Sequence, residues 1–145
     1  MTFIVAGGVP ISVASMGLNK NGNQAADKNQ TTPLVNWVVR SGYPNTVLDA
    51  NTLLVNAPGN VVIRTQVTLA SGWGGAGGLW AQLVRNGAEV ASVEFAQAQT
   101  VGTIPAQAIT VAAGDRIAVN IVNGNILTGA TVQGGTGTYV YFDPA

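Results

Sequence analysis

Two stretches of the chain alternate apolar and polar residues with a period of two. In 61–69, Val61, Ile63, Val67 and Leu69 share one side with Thr65, while Arg64, Gln66 and Thr68 take the other. In 116–122, Ile117, Val119 and Ile121 oppose Arg116 and Asn120 in the same way. Side chains alternate across a strand but recur every three to four residues on a helix, so both stretches are half-buried strands. Twenty Val and eight Ile against nine Leu favour pleated surfaces over helices. No window holds apolar residues at helical spacing with caps, and Gly, Pro or Asn-Gly interrupts the chain too often for a long helix. The chain is therefore expected to be all-β, with further strands near 34–40, 47–56, 79–85, 88–95, 107–112, 126–133 and 138–142. That spacing suits a sandwich or jelly roll.

Asn86-Gly87 marks a hairpin between 79–85 and 88–95, because a two-residue type I′ turn needs positive φ at both central positions. Regular pairing across it sets Leu83 opposite Val90 and Trp80 opposite Val93. The face bearing Trp80, Val93 and Phe95 then has no partner of its own, and either a second subunit or a loop of the same chain covers it. Glu89 and Glu94 differ by five positions, which on a regular strand turns them to opposite sides; this opposes a glycosidase-type carboxylate pair and favours a solvated-edge role for each. Asp115, after Gly114, is expected in a turn. Trp73, in the glycine-rich stretch 71–78, either offers a sugar-stacking platform or folds back on its own domain.

The 145 residues include no cysteine and no histidine. That excludes disulfide frameworks, zinc sites built on Cys or His, Ser-His-Asp triads and Cys-His dyads, so no catalytic residue, metal ligand or cofactor is expected. Six basic residues balance six acidic ones and are scattered along the chain, which leaves no electrostatic footprint for nucleic acid or a membrane surface. Only 8% of residues are charged, against roughly a quarter in an average domain. With no net charge to oppose self-association, the composition points to a protein that sits in an assembly.

The first 32 residues differ in character. Residues 1–18 carry no charge and 19–32 have linker composition, so 1–32 is expected as an arm and polar tether and 33–145 as the folded domain. Gly7, Gly8 and Pro10 interrupt the apolar run, and no basic residue precedes it, which argues against a secretory signal. An extended arm of this kind binds by strand addition, with Phe3, Ile4, Val5, Val9 and Ile11 filling alternate pockets on a partner.

Strand 61–69, the run Leu83-Val84-Arg85-Asn86-Gly87, the run from Val111 through Gly114-Asp115 to Ile117 and Val119, and the closing Tyr139-Val140-Tyr141-Phe142 together resemble the C1q/TNF-like jelly roll. The resemblance covers about 34–142. It implies a homotrimer with apolar and aromatic residues at the threefold axis, which places Tyr139, Tyr141 and Phe142 at a subunit interface along with Trp80, Val93 and Phe95. The chain lacks the collagen stalk and the calcium-binding aspartates of that family's secreted members. Its low charge and Asn-, Thr- and Gly-rich loops resemble small virion proteins of tailed bacteriophages. That likeness implies a trimeric capsid decoration protein, anchored by its arm to the major capsid protein or another virion component at the particle surface. The alternative it implies is a tail-fibre or tail-tip component that binds a host receptor or glycan.

Overall fold

The structure, a computed structural model, describes residues 3–4 and 10–145, with side chains from residue 12 onward. The strands run, in chain order, β1 (Phe3–Ile4), β2 (Pro10–Ile11), β3 (Met16–Lys20), β4 (Gln24–Ala26), β5 (Gln30–Pro33), β6 (Trp37–Val39), β7 (Leu48–Asp49), β8 (Thr52–Leu54), β9 (Gly59–Thr68), β10 (Leu79–Arg85), β11 (Ala88–Glu94), β12 (Val101–Val111), β13 (Arg116–Asn123), β14 (Ala130–Val132) and β15 (Gly135–Pro144). One sheet has the order β12-β9-β15-β3-β6, and the other β11-β10-β13-β8-β7. β5 and β8 lie end to end along one edge of β13, β5 pairing with Asn120–Asn123 and β8 with Arg116 and Ile117. The architecture is an all-β jelly-roll sandwich.

The alternating strands supply its core. Val61, Ile63, Val67 and Leu69 from β9 and its end meet Ile117, Val119 and Ile121 from β13 in one buried cluster. Asn86 and Gly87 have φ of 52° and 81°, as the two-residue turn requires. Asn86 also ties this hairpin to β13, accepting a hydrogen bond from the Arg116 N–H at 2.9 Å and donating one to the Asp115 carboxylate at 3.0 Å. Asp115 accepts from the Ala112 N–H as well, the turn role expected of it.

Three differences from the sequence reading have local causes. The stretch 47–56 divides into β7 and β8 because Ala50 and Asn51, with φ of 49° and 60°, fold the chain back on itself. The stretch 126–133 narrows to β14, since the Asn125 side-chain oxygen accepts from the N–H groups of Leu127 and Thr128 and holds the preceding loop in a turn. The sandwich also takes in residues assigned to the arm and tether. β3 lies between β15 and β6 with Met16 and Leu18 buried, and β5 pairs with β13. The fold thus begins well before residue 33, with the Val13 N–H bonded to the Pro58 carbonyl. Two short strands joined by polar turns have the composition of a linker.

The expected hairpin register also shifts. Arg85 pairs with Ala88 and Val84 with Glu89, but Leu83 pairs with Ala91, so a β-bulge falls between them at Val90. Beyond it every residue of β11 faces the opposite way: Trp80 stands opposite Glu94, and Val93 opposite the buried Ala81. Glu89 and Glu94 consequently share the outer face. They are four positions apart along β10, about 13 Å at strand rise, which is too far for one glycosidic bond.

Candidate functional site

The outer face of the β12-β9-β15-β3-β6 sheet carries a compact group of aromatic rings around one guanidinium. On β15, Tyr139 and Tyr141 point outward while Val140 and Phe142 point into the core. Tyr141 lies in a cross-strand row with Arg64 on β9 and Gly17 on β3, and Tyr139 in a row with Gln66 and Asn19. Past β6 the chain turns, with the Arg40 N–H bonded to the Gly17 carbonyl and the Tyr43 N–H to the Arg40 carbonyl. This turn delivers Arg40 and Tyr43 onto the same surface.

The Arg40 guanidinium carbon lies 4.6 Å from the Tyr141 ring centre and 4.7 Å from that of Tyr139, with Tyr43 farther out at 6.0 Å. Tyr141 contacts both other rings, with centroids 5.4 Å from Tyr43 and 5.3 Å from Tyr139, both tilted. These are favourable cation–π and aromatic geometries. Arg40 Nη1 donates to Asn19 Oδ1 at 2.8 Å, so an amide and two ring faces hold the cation. Burial pushes the Tyr43 and Tyr139 hydroxyls above the ordinary tyrosine range, helped by Asp143 and Tyr141 for Tyr43 and by Tyr141 for Tyr139, while Arg40 pulls the other way. Both phenols stay neutral at physiological pH. Val38 extends the patch at the sheet edge, exposed and in register with Asn19.

Tyr and Arg are enriched where proteins meet because they supply large, rigid contact area with a polar handle. A surface with three tyrosines locked around one guanidinium before any partner arrives, and Arg64 exposed beside them, is suited to association. It offers no nucleophile paired with a base, and no cluster of metal-ligating side chains is present among the described residues.

The structure divides the expected interface residues among three locations. Tyr139 and Tyr141 lie on the tyrosine face. Phe95 and Phe142 are both 0% exposed and belong to the core, so neither is available to another subunit. Val93 packs inward at the rim of the core, a consequence of the bulge at Val90. Trp80 faces outward from the other sheet, on the opposite side of the sandwich from the tyrosines. Of the arm residues, Phe3, Ile4 and Ile11 are described only as backbone in the β1–β2 ladder. Their side chains, and Val5 and Val9 entirely, lie outside the described residues. Trp73 is buried and presents no sugar platform. Sequence reasoning missed Arg40, Tyr43 and Gly17, which only the pairing of β3 with β15 and the turn after β6 bring to the tyrosines.

No family model matches the sequence, and no curated protein matches it. Solved structures do match the fold. Eiger TNF from S. frugiperda superposes with a TM-score of 0.72 at 13% identity, over 93% of this chain and 94% of that one. Murine APRIL, crystallised at pH 8.0, superposes with a TM-score of 0.62 at 14% identity, over 92% of this chain and 100% of the other. The fold is a TNF-like jelly roll.

Proposed function

We propose that this chain is a non-enzymatic structural protein that assembles as a homotrimer through its tyrosine face and decorates the head of a bacteriophage particle. The observation that carries the reading is the Arg40, Tyr43, Tyr139 and Tyr141 cluster, an ordered aromatic surface whose rings stay partly exposed once the chain's own turn after β6 has packed Arg40 and Tyr43 onto it. The absence of histidine and cysteine from the sequence supports a role without catalysis. The C1q/TNF-like resemblance supports three copies around an axis. The low charge and neutral polar loops support a place in a virion.

The ends of the sandwich are consistent with attachment. Residues 1–11, free of charge, lead into the end where Val13 bonds to Pro58 and Ala145 to Asn60. The loop bearing Ile126 and Leu127 lies at the other end, beyond Asn123. An N-terminal segment bound to the major capsid protein would leave that loop outermost. Three such segments per trimer would add avidity to a weak single contact. A second reading, a tail-fibre or tail-tip component, draws on the same loop, because Ile126 and Leu127 are 68% and 82% exposed on a turn held by Asn125.

Light scattering on the full chain, followed by co-sedimentation with capsid shells, tests the proposal. A trimer that saturates shells at fixed stoichiometry is expected. A monomer at micromolar concentration, or no sedimentation with shells, overturns it.

A further inference from the structure

The outer face of the other sheet is the reverse of the tyrosine face in chemistry. Its rows read Glu94, Trp80, Val122, Thr31, then Ser92, Gln82, Asn120, Pro33, then Glu89, Val84, Ala118. No Lys or Arg stands in them. Trp80 is the one aromatic ring, half-buried, lying beside Gly124 where a Cβ would come within 3.8 Å of its Cζ3. Asn120 donates to Gln82 at 3.1 Å, and Gln82 to Glu89 at 3.1 Å, so the amides beside the indole form a fixed ladder. Next to the indole is a shallow depression of about 190 Å³ lined by Asn29, Gln30, Thr31, Val122, Asn123 and Gly124. Gln30 and Thr31 are exposed on β5, and β5 is held in place by its ladder with β13.

We infer that this surface is a binding site for a neutral saccharide, with Trp80 as the stacking platform and the depression as the seat of one sugar ring. The aliphatic face of a pyranose is apolar and positively polarised at its C–H groups, which matches the negative face of an indole. Its hydroxyls each donate and accept, which matches amides and hydroxyls that do both. The same chemistry selects among glycans. Glu89 and Glu94 on the β11 side of the indole oppose sulfated and sialylated chains, while the cations that border the face, Lys28 beside Asn29 and Arg116 beyond Ala118, lie outside these rows, so a neutral oligosaccharide meets no charge penalty. A flat sheet with one ring and several orientable polar groups suits a ligand that is itself flat and polar. The site does not depend on the virion reading, and because it lies opposite the tyrosine face, trimer and saccharide can be bound together.

The test is an array of neutral hexose and N-acetylhexosamine oligosaccharides printed beside sialylated and sulfated ones, probed with the full chain. The neutral oligosaccharide bound most strongly is then titrated while tryptophan fluorescence is followed. Trp37 and Trp73 are buried, so a change in emission on binding reports Trp80. Binding restricted to neutral glycans is expected, weakened about tenfold or more by Trp80→Ala. Trp80→Phe should keep most of the affinity but lose the emission change. Thr31→Ala, at an exposed position in the same cross-strand row as Trp80, should weaken binding even if Trp80→Ala fails to fold. The proposal is overturned if the wild-type chain binds no neutral glycan, if sulfated chains bind best, if a folded Trp80→Ala or Thr31→Ala binds with unchanged affinity, or if Trp80→Phe keeps the emission change.

Discussion

Gly17 on β3 and Tyr141 on β15 face each other so closely that a Cβ at Gly17 would lie 2.7 Å from the Tyr141 Cβ, and 3.2 Å from the Arg40 side chain. The missing side chain lets the guanidinium settle over the ring. Gly17→Ala should therefore push Arg40 and Tyr141 apart and cost about 1–3 kcal/mol. Thermal melting would record this as a fall of several degrees, and a melting temperature equal to wild type would contradict it.

Phe95 and Tyr141 make opposite predictions when changed to aspartate. Tyr141→Asp places a charge on the surface patch, so it should leave a folded chain that no longer self-associates. Phe95→Asp places an unpaired charge in the core and should prevent folding at a cost of several kcal/mol. Circular dichroism and light scattering on both variants separate the two outcomes. Association of the wild-type chain should also survive high salt, because rings rather than exposed ion pairs form the contact.

Lys20 is 1% exposed, and its ammonium nitrogen has no hydrogen-bond partner. Burial pulls its pKa below the ordinary lysine value. The folded state thus binds this proton less tightly than the unfolded state, and the resulting penalty is present in full below the lowered pKa and fades as pH rises towards 10.5. The raised hydroxyls of Tyr43 and Tyr139 act oppositely, losing stability as pH rises through their folded values. Lys20→Met should stabilise the protein by about 1–3 kcal/mol at neutral pH, since it removes an unsatisfied buried donor while keeping the volume. Its advantage over wild type should shrink in alkaline solution. Denaturant midpoints at neutral and alkaline pH would record both effects.

Deletion of residues 1–11 should leave the fold and self-association intact while abolishing binding to shells. Deletion of 1–18 would instead remove the first half of β3, with Met16 and Leu18, and should unfold the protein. Sedimentation of the two truncations with capsid shells distinguishes loss of an anchor from loss of the fold.

Legibility in the sequence followed the reach of the interaction concerned. The inward residues of β9 and β13 and the Asn86-Gly87 turn depend on neighbours a few positions away, and local pattern revealed them. The bulge at Val90 has no compositional mark, and that single extra residue moved Val93 to the core rim and brought Glu94 beside Trp80. β3 was hidden because Gly17, chosen for a close approach, and Lys20, buried without a partner, both look like linker residues. The tyrosine face was half visible. Tyr139 and Tyr141 advertise themselves in the closing strand, but Arg40 and Tyr43 reach them only through β3, from the other half of the chain.

β15 lies between β9 and β3, so the last strand of the sandwich to leave the ribosome fills a central slot in its sheet. Until it arrives, β9 and β3 each present an unpaired backbone edge and the core lacks Val140 and Phe142. The domain therefore cannot close gradually during synthesis. While β15 is missing, two sheet edges stay open to other chains, and a sandwich that carries every other strand still has none to shut it.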